Sequence, residues 1–194
     1  MVTVMQIILQ PVLFEPDKDT LSSLEKALLK ELNASSSIVT AQPIKQIPEQ
    51  QMLLLFDIQR NQWKSSDILE WLSDNYTKLY SKETRRGTTA SKILAICDFD
   101  AYSDKLNFVF GEAHLDGRIC AIYLPRIRQE FYGLKPDKPL FYQRLIKEAV
   151  HELGHAFSLG HCGNIKCAMH FSNSLSDTDI KTSHLCNVCR SHLL

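Results

Sequence analysis

The spacing of hydrophobic residues along the chain predicts alternating strands and helices. Leucines at helical spacing, with charged residues between them, indicate a helix over 17–33, and a similar pattern returns over 64–81. A third, longer helix is expected from about Leu140, where apolar residues again recur at helical spacing. Short apolar or β-branched runs predict strands, the first of them broken or ended near Pro11. These runs lie at 4–14, 38–47, 53–58 and 92–99.

Two further strand-like runs occur within 107–127. The Asp116-Gly117 pair between them is a turn signal, so a hairpin or a close antiparallel pair is expected here. The complete order is β-α-β-(β)-α-β-β-β-α, followed by a polar tail with one more helix that carries Cys186 and Cys189. This order predicts an α/β fold in which helices pack on a mixed sheet.

The charge balance argues against two classes of partner. The chain carries 22 basic and 22 acidic residues, so it lacks the basic surface that nucleic acids or anionic membranes attract. No apolar run approaches the ~20 residues of a membrane helix, and the apolar start lacks the charged region and cleavage site of a signal peptide. We therefore expect a cytoplasmic protein with reduced cysteines, and nothing in the composition argues against a monomer.

The segment HELGH (151–155) is the first candidate for chemistry. It lies in the predicted long helix, where residues four apart share a face, so His151 and His155 can bind one zinc ion. Glu152 lies beside that site and can take a proton from a water that zinc has made acidic. This combination indicates metal-assisted hydrolysis, typically of a peptide bond. The simpler alternative is a helix with two surface histidines.

A third histidine favours the metal interpretation. His161 stands six residues after His155, and it can reach the same ion if Gly160 allows the chain to turn back. Three neutral imidazoles with an open fourth position are typical of a catalytic zinc and not of a structural one.

Four cysteines near the C-terminus predict a second metal site. They form C-x4-C and C-x2-C pairs separated by eighteen residues, namely Cys162, Cys167, Cys186 and Cys189. Four thiolates complete a tetrahedron, so this zinc would be structural and would fix both the tail and His161. The alternatives are four ordinary buried cysteines or, in an oxidising compartment, disulfides. Cys97 and Cys120 lie in apolar strands and are expected to be small core residues.

Together these motifs resemble the archaemetzincin family of small metzincin-type zinc peptidases. The shared pattern, H-E-x-x-H-x5-H-C-x4-C-x-M-x16-C-x2-C, covers 151–189, and LNFVFGEA (106–113) resembles the family's edge-strand region. The resemblance implies a compact metzincin-like mixed sheet with packed helices, an active-site helix and a C-terminal tail held by zinc. One domain is expected over 1–194, with a sheet-and-helix part (1–139) and a part holding the active-site helix and tail (140–194).

The resemblance implies a role for each matching residue. His151, His155 and His161 would hold a catalytic zinc, and Glu152 would be the general base. Met169 would be the Met-turn residue beneath that zinc, although a plain core methionine would pack in the same way. The four cysteines would hold a second, structural zinc. A peptide or protein substrate would lie along an edge strand, for which the candidate residues are Asn107, Phe108, Val109, Phe110 and Gly111.

Two positions depart from the family pattern. Ser158 stands where the family usually has glycine, and a residue with a Cβ is disfavoured by about 1 kcal/mol or more in a turn with positive φ. Either Ser158 adopts that turn, or the helix continues and turns at Gly160. We expect the site to survive with slightly altered geometry. The gap between Met169 and Cys186 holds sixteen residues where seventeen are usual, which indicates a loop deletion of little consequence.

Two functions of different class follow from these motifs. The first is a zinc-dependent peptidase, which trims chain ends as an aminopeptidase does or cuts internally. The second is a non-catalytic zinc module that binds a protein partner through the four cysteines. The presence of Glu152 at the catalytic position favours the peptidase.

Overall fold

The computed structural model describes residues 6–32, 37–80 and 91–193. The polar segment 81–90, which was expected to be a loop, lies outside these ranges, as does the start of the predicted strand 4–14. Within the described ranges, no helix combines the length and the hydropathy needed to cross a membrane.

A five-stranded mixed sheet forms the centre of the fold. Its order is β2-β1-β5-β8-β7, in which β1, β2, β5 and β8 are parallel and β7 is antiparallel to β8. The mixed sheet predicted from the element order is therefore confirmed. Its strands are β1 (Gln6–Val12), β2 (Ser37–Thr40), β5 (Lys92–Cys97), β7 (Gly111–Ala113) and β8 (Ile119–Tyr123). A small second sheet is formed by β3 (Phe56–Asp57), β4 (Gln62–Lys64) and β6 (Ala101–Tyr102).

Helices cover both faces of the large sheet. The long helices are α1 (Lys18–Leu32), α3 (Ser65–Tyr80) and α4 (Lys138–Ala156), and the short ones are α2 (Glu49–Leu55), α5 (Leu175–Ile180) and α6 (Asn187–Ser191). Side chains of β5 alternate between the two resulting cores. Leu94 and Ile96 pack with α1 and α4, whereas Ile93 and Ala95 pack with α3. This double burial explains why the strand reads as one continuous apolar run.

Most predicted elements are confirmed with shifted ends. The hairpin around Asp116-Gly117 is the antiparallel pair of β7 and β8. The long helix begins two residues before Leu140, because Asp137 caps it by accepting a hydrogen bond from the Leu140 N–H, and Pro139 suits the first turn. Strand β1 continues through Pro11, whose carbonyl accepts the N–H of Ile44.

The predicted strand over 53–58 is wrong. Its first half belongs to helix α2, which starts directly after Pro48, and only Phe56 and Asp57 form a short strand. Leu53 and Leu54 are 67% and 79% exposed, so the apolar run is not a buried strand of the sheet. A short apolar run does not by itself distinguish a strand from a helical turn.

Two other elements differ from the sequence prediction. The expected strand over 38–47 ends at Thr40, and beyond it Ile44 makes only an isolated bridge to Val12. The tail contains two short helices, α5 and α6, where one was expected. Cys189 lies within α6, whereas Cys186 precedes its first turn.

Candidate metal centres

Three histidines converge at the C-terminal end of α4. His151 and His155 lie one turn apart, and His161 reaches them from the segment that follows the helix. The ring of His161 lies 5.4 Å from that of His151 and 4.8 Å from that of His155, measured between centroids. One ligand nitrogen from each ring lies within 4.8 Å of the other two, so the three can share one ion.

Hydrogen bonds orient two of these rings for metal binding. His151 Nδ1 lies 2.8 Å from the carbonyl of Ala168, and His155 Nδ1 lies 2.7 Å from that of Leu159. A carbonyl oxygen can only accept, so each Nδ1 carries the proton and each Nε2 keeps its lone pair. The two Nε2 atoms nevertheless lie 3.1 Å apart. Ligands at about 2.1 Å in a tetrahedron lie about 3.4 Å apart, so a zinc ion fits between them.

The surroundings keep the three imidazoles neutral. Burial lowers the pKa of His151 well below its ordinary value, and the nearby Lys181 ammonium lowers it further. Burial also lowers the pKa values of His155 and His161. Neutral imidazole is the form that binds a metal ion, so this histidine cluster suits zinc without first losing protons.

Ser158 adopts the turn that the family usually builds with glycine. Helix α4 ends at Ala156, and Ser158 has φ of 69°. Its N–H donates to the carbonyl of His155, and the next N–H, that of Leu159, donates to the carbonyl of Gly154. This is the hydrogen-bond pattern of a Schellman cap, with Ser158 at the position that favours glycine. Of the two alternatives, the helix therefore does not continue to a turn at Gly160.

Replacing Ser158 with glycine is expected to raise the free energy of unfolding by about 1 kcal/mol, because glycine adopts positive φ without the clash of a Cβ. Ser158→Ala is the matched control, since it removes the hydroxyl and keeps the Cβ. Urea unfolding of the three zinc-loaded proteins measures the difference. If the glycine and alanine variants were equally stable, the strain assigned to this turn would be absent.

Glu152 is buried between α4 and the edge strand β7. Only 4% of it is exposed, yet it lines the same cleft as the three histidines. Burial raises the pKa of Glu152 well above its ordinary value. The carboxylate of Glu148 raises it further, while the Lys181 ammonium opposes the shift. A carboxyl group with a raised pKa is a suitable proton acceptor and donor near neutral pH.

The predicted substrate segment lies only partly where it was expected. Phe108, Val109, Phe110 and Gly111 line the cleft, but the edge strand itself is Gly111–Ala113. The first predicted residue, Asn107, turns its carbonyl towards Gln62, which donates to it at 3.0 Å. The apolar character of 108–110 was mistaken for strand character, because these side chains pack into the two hydrophobic cores although their backbone belongs to no strand.

Ala113 and Gly111 direct their backbone groups away from the sheet. Tyr123 N–H donates to the carbonyl of Phe110. In an antiparallel pair, such hydrogen-bonded positions recur at every second residue. The backbone N–H and carbonyl of Glu112 therefore face β8, whereas those of Gly111 and Ala113 point away from it. Among the described residues, no strand pairs with this side of β7.

The four cysteines of the tail form a second cluster. The sulfur of Cys162 lies 3.8 Å from that of Cys186, and the sulfur of Cys167 lies 3.7 Å from that of Cys189. A disulfide would hold its two sulfurs about 2.0 Å apart, whereas four sulfurs at 2.3 Å from one zinc lie about 3.8 Å apart. The spacing fits a tetrahedral zinc site. The backbone amide of Cys189 lowers the pKa of Cys186 to about 7, which favours its thiolate, whereas burial raises the pKa values of Cys167 and Cys189.

Met169 is fully buried, and it follows Ala168, whose carbonyl lies 2.8 Å from His151 Nδ1. Its sulfur packs so closely on Gly154 that a Cβ at that position would overlap it. The chain then joins the two candidate sites, since Cys162 N–H donates to the Met169 carbonyl at 2.9 Å. Cys97 and Cys120 are buried in the core, as predicted.

Sequence reasoning missed the buried charges that support this region. Lys181 is completely buried, and its ammonium lies 3.1 Å from a carboxylate oxygen of Glu148, which also accepts the hydroxyl of Thr178. On the other side of the tail, Glu31 accepts hydrogen bonds from His184 and Arg190. For these buried charges the sequence offers a single signal, which is that Glu148 lies one turn before His151 and therefore on the same face of α4.

Comparison with known proteins identifies the family. The model of peptidase family M54 matches residues 26–194. Archaemetzincin of Methanocaldococcus jannaschii is 36% identical over 193 residues, which cover 100% of this chain and 95% of the relative. Archaemetzincin of Pyrococcus horikoshii is 44% identical over 134 residues, which cover 69% of this chain and 66% of the relative, just under two thirds of its length.

Two solved structures share the fold. A zinc-dependent peptidase from Methanocorpusculum labreanum superimposes with a TM-score of 0.84 at 26% identity, and the match covers 97% of this chain and 100% of that one. Archaemetzincin from Archaeoglobus fulgidus, complexed with malonate, gives 0.72 at 30% identity over 97% and 99% of the two chains. The chain belongs to peptidase family M54, the archaemetzincins, a family of zinc metallopeptidases.

Proposed function

We propose that this chain is a zinc-dependent peptidase in which His151, His155 and His161 hold the catalytic ion. The observation that carries the proposal is the convergence of three neutral imidazoles beside the buried carboxylate of Glu152. Two imidazole lone pairs 3.1 Å apart repel each other unless a cation lies between them. His161 would supply the third ligand, and all three histidines line the cleft from which a water molecule or a substrate could reach the ion.

Glu152 is the general base of the proposed reaction. When bound, zinc supplies Lewis-acid chemistry, since it polarises a carbonyl group and makes water more acidic. Glu152 accepts a proton from the attacking water and delivers it to the amine that leaves as the peptide bond breaks. Its burial excludes bulk water from the carboxylate and raises its pKa, so the carboxylate accepts a proton more readily than an exposed one does.

The free side of β7 is the proposed place for the substrate backbone. An extended peptide can add to this edge and exchange hydrogen bonds with the outward groups of Gly111 and Ala113. Phe108 and Phe110 supply apolar surface close to the same edge. Backbone hydrogen bonding along an edge strand recognises any extended chain, so it supports a peptide or protein substrate. Any preference for particular substrate side chains would then come from the residues that line the cleft.

The four cysteines are proposed to hold a second zinc with a structural role. All four positions of that ion would be filled by sulfur, so it has no place for a substrate. Because Cys162 follows His161 directly, the second ion would fix the segment that presents the third histidine. One core contains Ile7 at the start of the described chain and Cys189 near its end, which supports a single domain over 1–194.

Digestion of a defined peptide library by the zinc-loaded protein tests the proposed activity. Mass spectrometry is expected to show cleavage by the wild type and a loss of about 10²–10⁴-fold in Glu152→Gln, which removes the proton acceptor and keeps nearly the same shape. The products also show whether the enzyme trims ends or cuts internally.

The zinc content of both proteins is the control for this experiment. Glu152 is not proposed as a ligand, so Glu152→Gln should bind as much zinc as the wild type. Equal cleavage by the two proteins would exclude Glu152 as the base. Absence of cleavage by a fully loaded wild type would overturn the peptidase proposal in favour of a zinc-containing binding module.

A further inference from the structure

We propose that Gly111 is a positioning residue that makes room for the catalytic carboxylate of Glu152. A Cβ built on Gly111 would lie 2.5 Å from Glu152 Cγ, 2.5 Å from Oε1 and 2.7 Å from Cδ. These three atoms are its nearest neighbours, and all belong to one side chain. The inference rests on the proposed peptidase function, because it assigns a catalytic consequence to this contact.

The backbone does not require glycine at this position. Gly111 lies in an extended strand, and its φ is not in the positive range that favours glycine. Glycine in a strand interior weakens the strand and often marks the close approach of another group. The reason for glycine here is therefore space, and Glu152 is the group that occupies it.

Glu152 has little freedom to move away from an added methyl group. It is 4% exposed, and its helix is fixed on both sides of it. The ring of His151 is held by the Ala168 carbonyl, and Met169 packs directly on Gly154. A methyl group at position 111 must therefore turn the carboxylate towards the cleft or push β7 outward. Either movement changes the distance between the proton acceptor and a peptide bound along β7.

The contact between Gly111 and Glu152 also explains how the carboxylate and a substrate bound along β7 keep a fixed distance from each other. Side chains in a strand alternate between its faces, whereas its backbone groups lie along its edges. The missing side chain of Gly111 faces Glu152, and its outward N–H and carbonyl remain available to a substrate strand. One residue thus sets the position of the carboxylate relative to the peptide bond without taking part in the reaction.

Gly111→Ala is the direct test, measured on zinc-loaded protein with a peptide that the wild type cleaves. We expect kcat to fall about 10²-fold, as displacements of about 1 Å in an active site do, while KM changes little and zinc content stays the same. Gly163→Ala is the matched control. It adds the same methyl group where no atom beyond its two chain neighbours lies within 4 Å, so kcat should be unchanged.

A thermal-unfolding cycle provides a readout that does not depend on activity. Gly111→Ala should lower Tm by roughly 3–8 °C, because overpacking a buried site is destabilising. In the Glu152→Ala background the methyl group enters vacated space, so the same change should lower Tm by less than about 1 °C. A merely structural role of Gly111 in the strand would give the same loss of Tm in both backgrounds.

The outcomes separate this inference from the proposed function. Wild-type kcat in Gly111→Ala, or equal losses of Tm in both backgrounds, would overturn the positioning role while leaving the peptidase intact. A zinc-loaded wild type that cleaves nothing would overturn the peptidase, and with it the catalytic consequence assigned to Gly111. In that case the cycle still decides whether positions 111 and 152 are in steric contact.

Discussion

Replacement of Cys189 by serine is expected to remove one of two zinc ions and to destabilise the C-terminal tail. Its sulfur lies 3.7 Å from that of Cys167, at the spacing of a tetrahedral zinc–thiolate site. Serine cannot replace thiolate as a tight zinc ligand. Structural zinc contributes about 10–16 kcal/mol of apparent binding free energy in small zinc-finger peptides, so the expected loss of stability is several kcal/mol.

The effect should extend to the histidine cluster. Without the second ion, the segment after α4 is held by the burial of Leu159 in the core and by hydrogen bonds such as that from Cys162 N–H to the Met169 carbonyl. His161 would then be less well fixed, and affinity for the catalytic zinc should fall. Elemental analysis and thermal unfolding measure the two effects separately.

Cys97→Ala is the control for the cysteine experiment. Cys97 is fully buried in β5 and belongs to neither cluster, so its removal should leave two zinc ions per chain. One zinc in the intact protein would contradict the two-site arrangement. Retention of both ions by Cys189→Ser would show that the cysteine is not a ligand.

Lys181→Met is expected to lower the free energy of unfolding by about 3–5 kcal/mol. The ammonium of Lys181 is completely buried and lies 3.1 Å from Glu148, which is itself only 3% exposed. Methionine fills a similar volume but leaves the carboxylate of Glu148 without its counter-charge. Loss of one partner from a buried ion pair is strongly destabilising because the remaining charge stays out of water.

A double-mutant cycle tests the origin of that loss. Glu148→Gln combined with Lys181→Met removes both charges, so the double variant should be more stable than Lys181→Met alone. Urea unfolding of the zinc-loaded proteins gives the four free energies. If Lys181→Met lay within about 0.5 kcal/mol of the wild type, the ion pair would not hold α5 to the active-site helix.

The sequence by itself determined the candidate chemistry, because that chemistry depends on local spacing. Residues four apart share a helix face in any protein, so His151 and His155 were certain to be neighbours once the helix was predicted. The cysteine pairs are likewise short-range features. The buried strand β5 was likewise predictable from its own residues, since a strand covered on both faces is apolar at nearly every position.

Ambiguity began where one local pattern permits two structures. The run over 53–58 suits a strand or a helical turn, and the exposure of Leu53 and Leu54 shows that it did not need to be buried. Ser158 allowed either a strained cap or a longer helix. The carbonyls of Gly154 and His155 accept the two N–H groups that close the cap, and Met169 packs on that same turn.

Only the tertiary structure decided how distant parts of the chain complete the site. Gly111 accommodates Glu152, and Lys181 neutralises Glu148, although neither pair is close in sequence. Such contacts depend on how β7 and the tail dock against α4, and no periodicity along the chain encodes that docking. A missing side chain and a buried ion pair acquire their meaning from the atoms that surround them, which local spacing cannot specify.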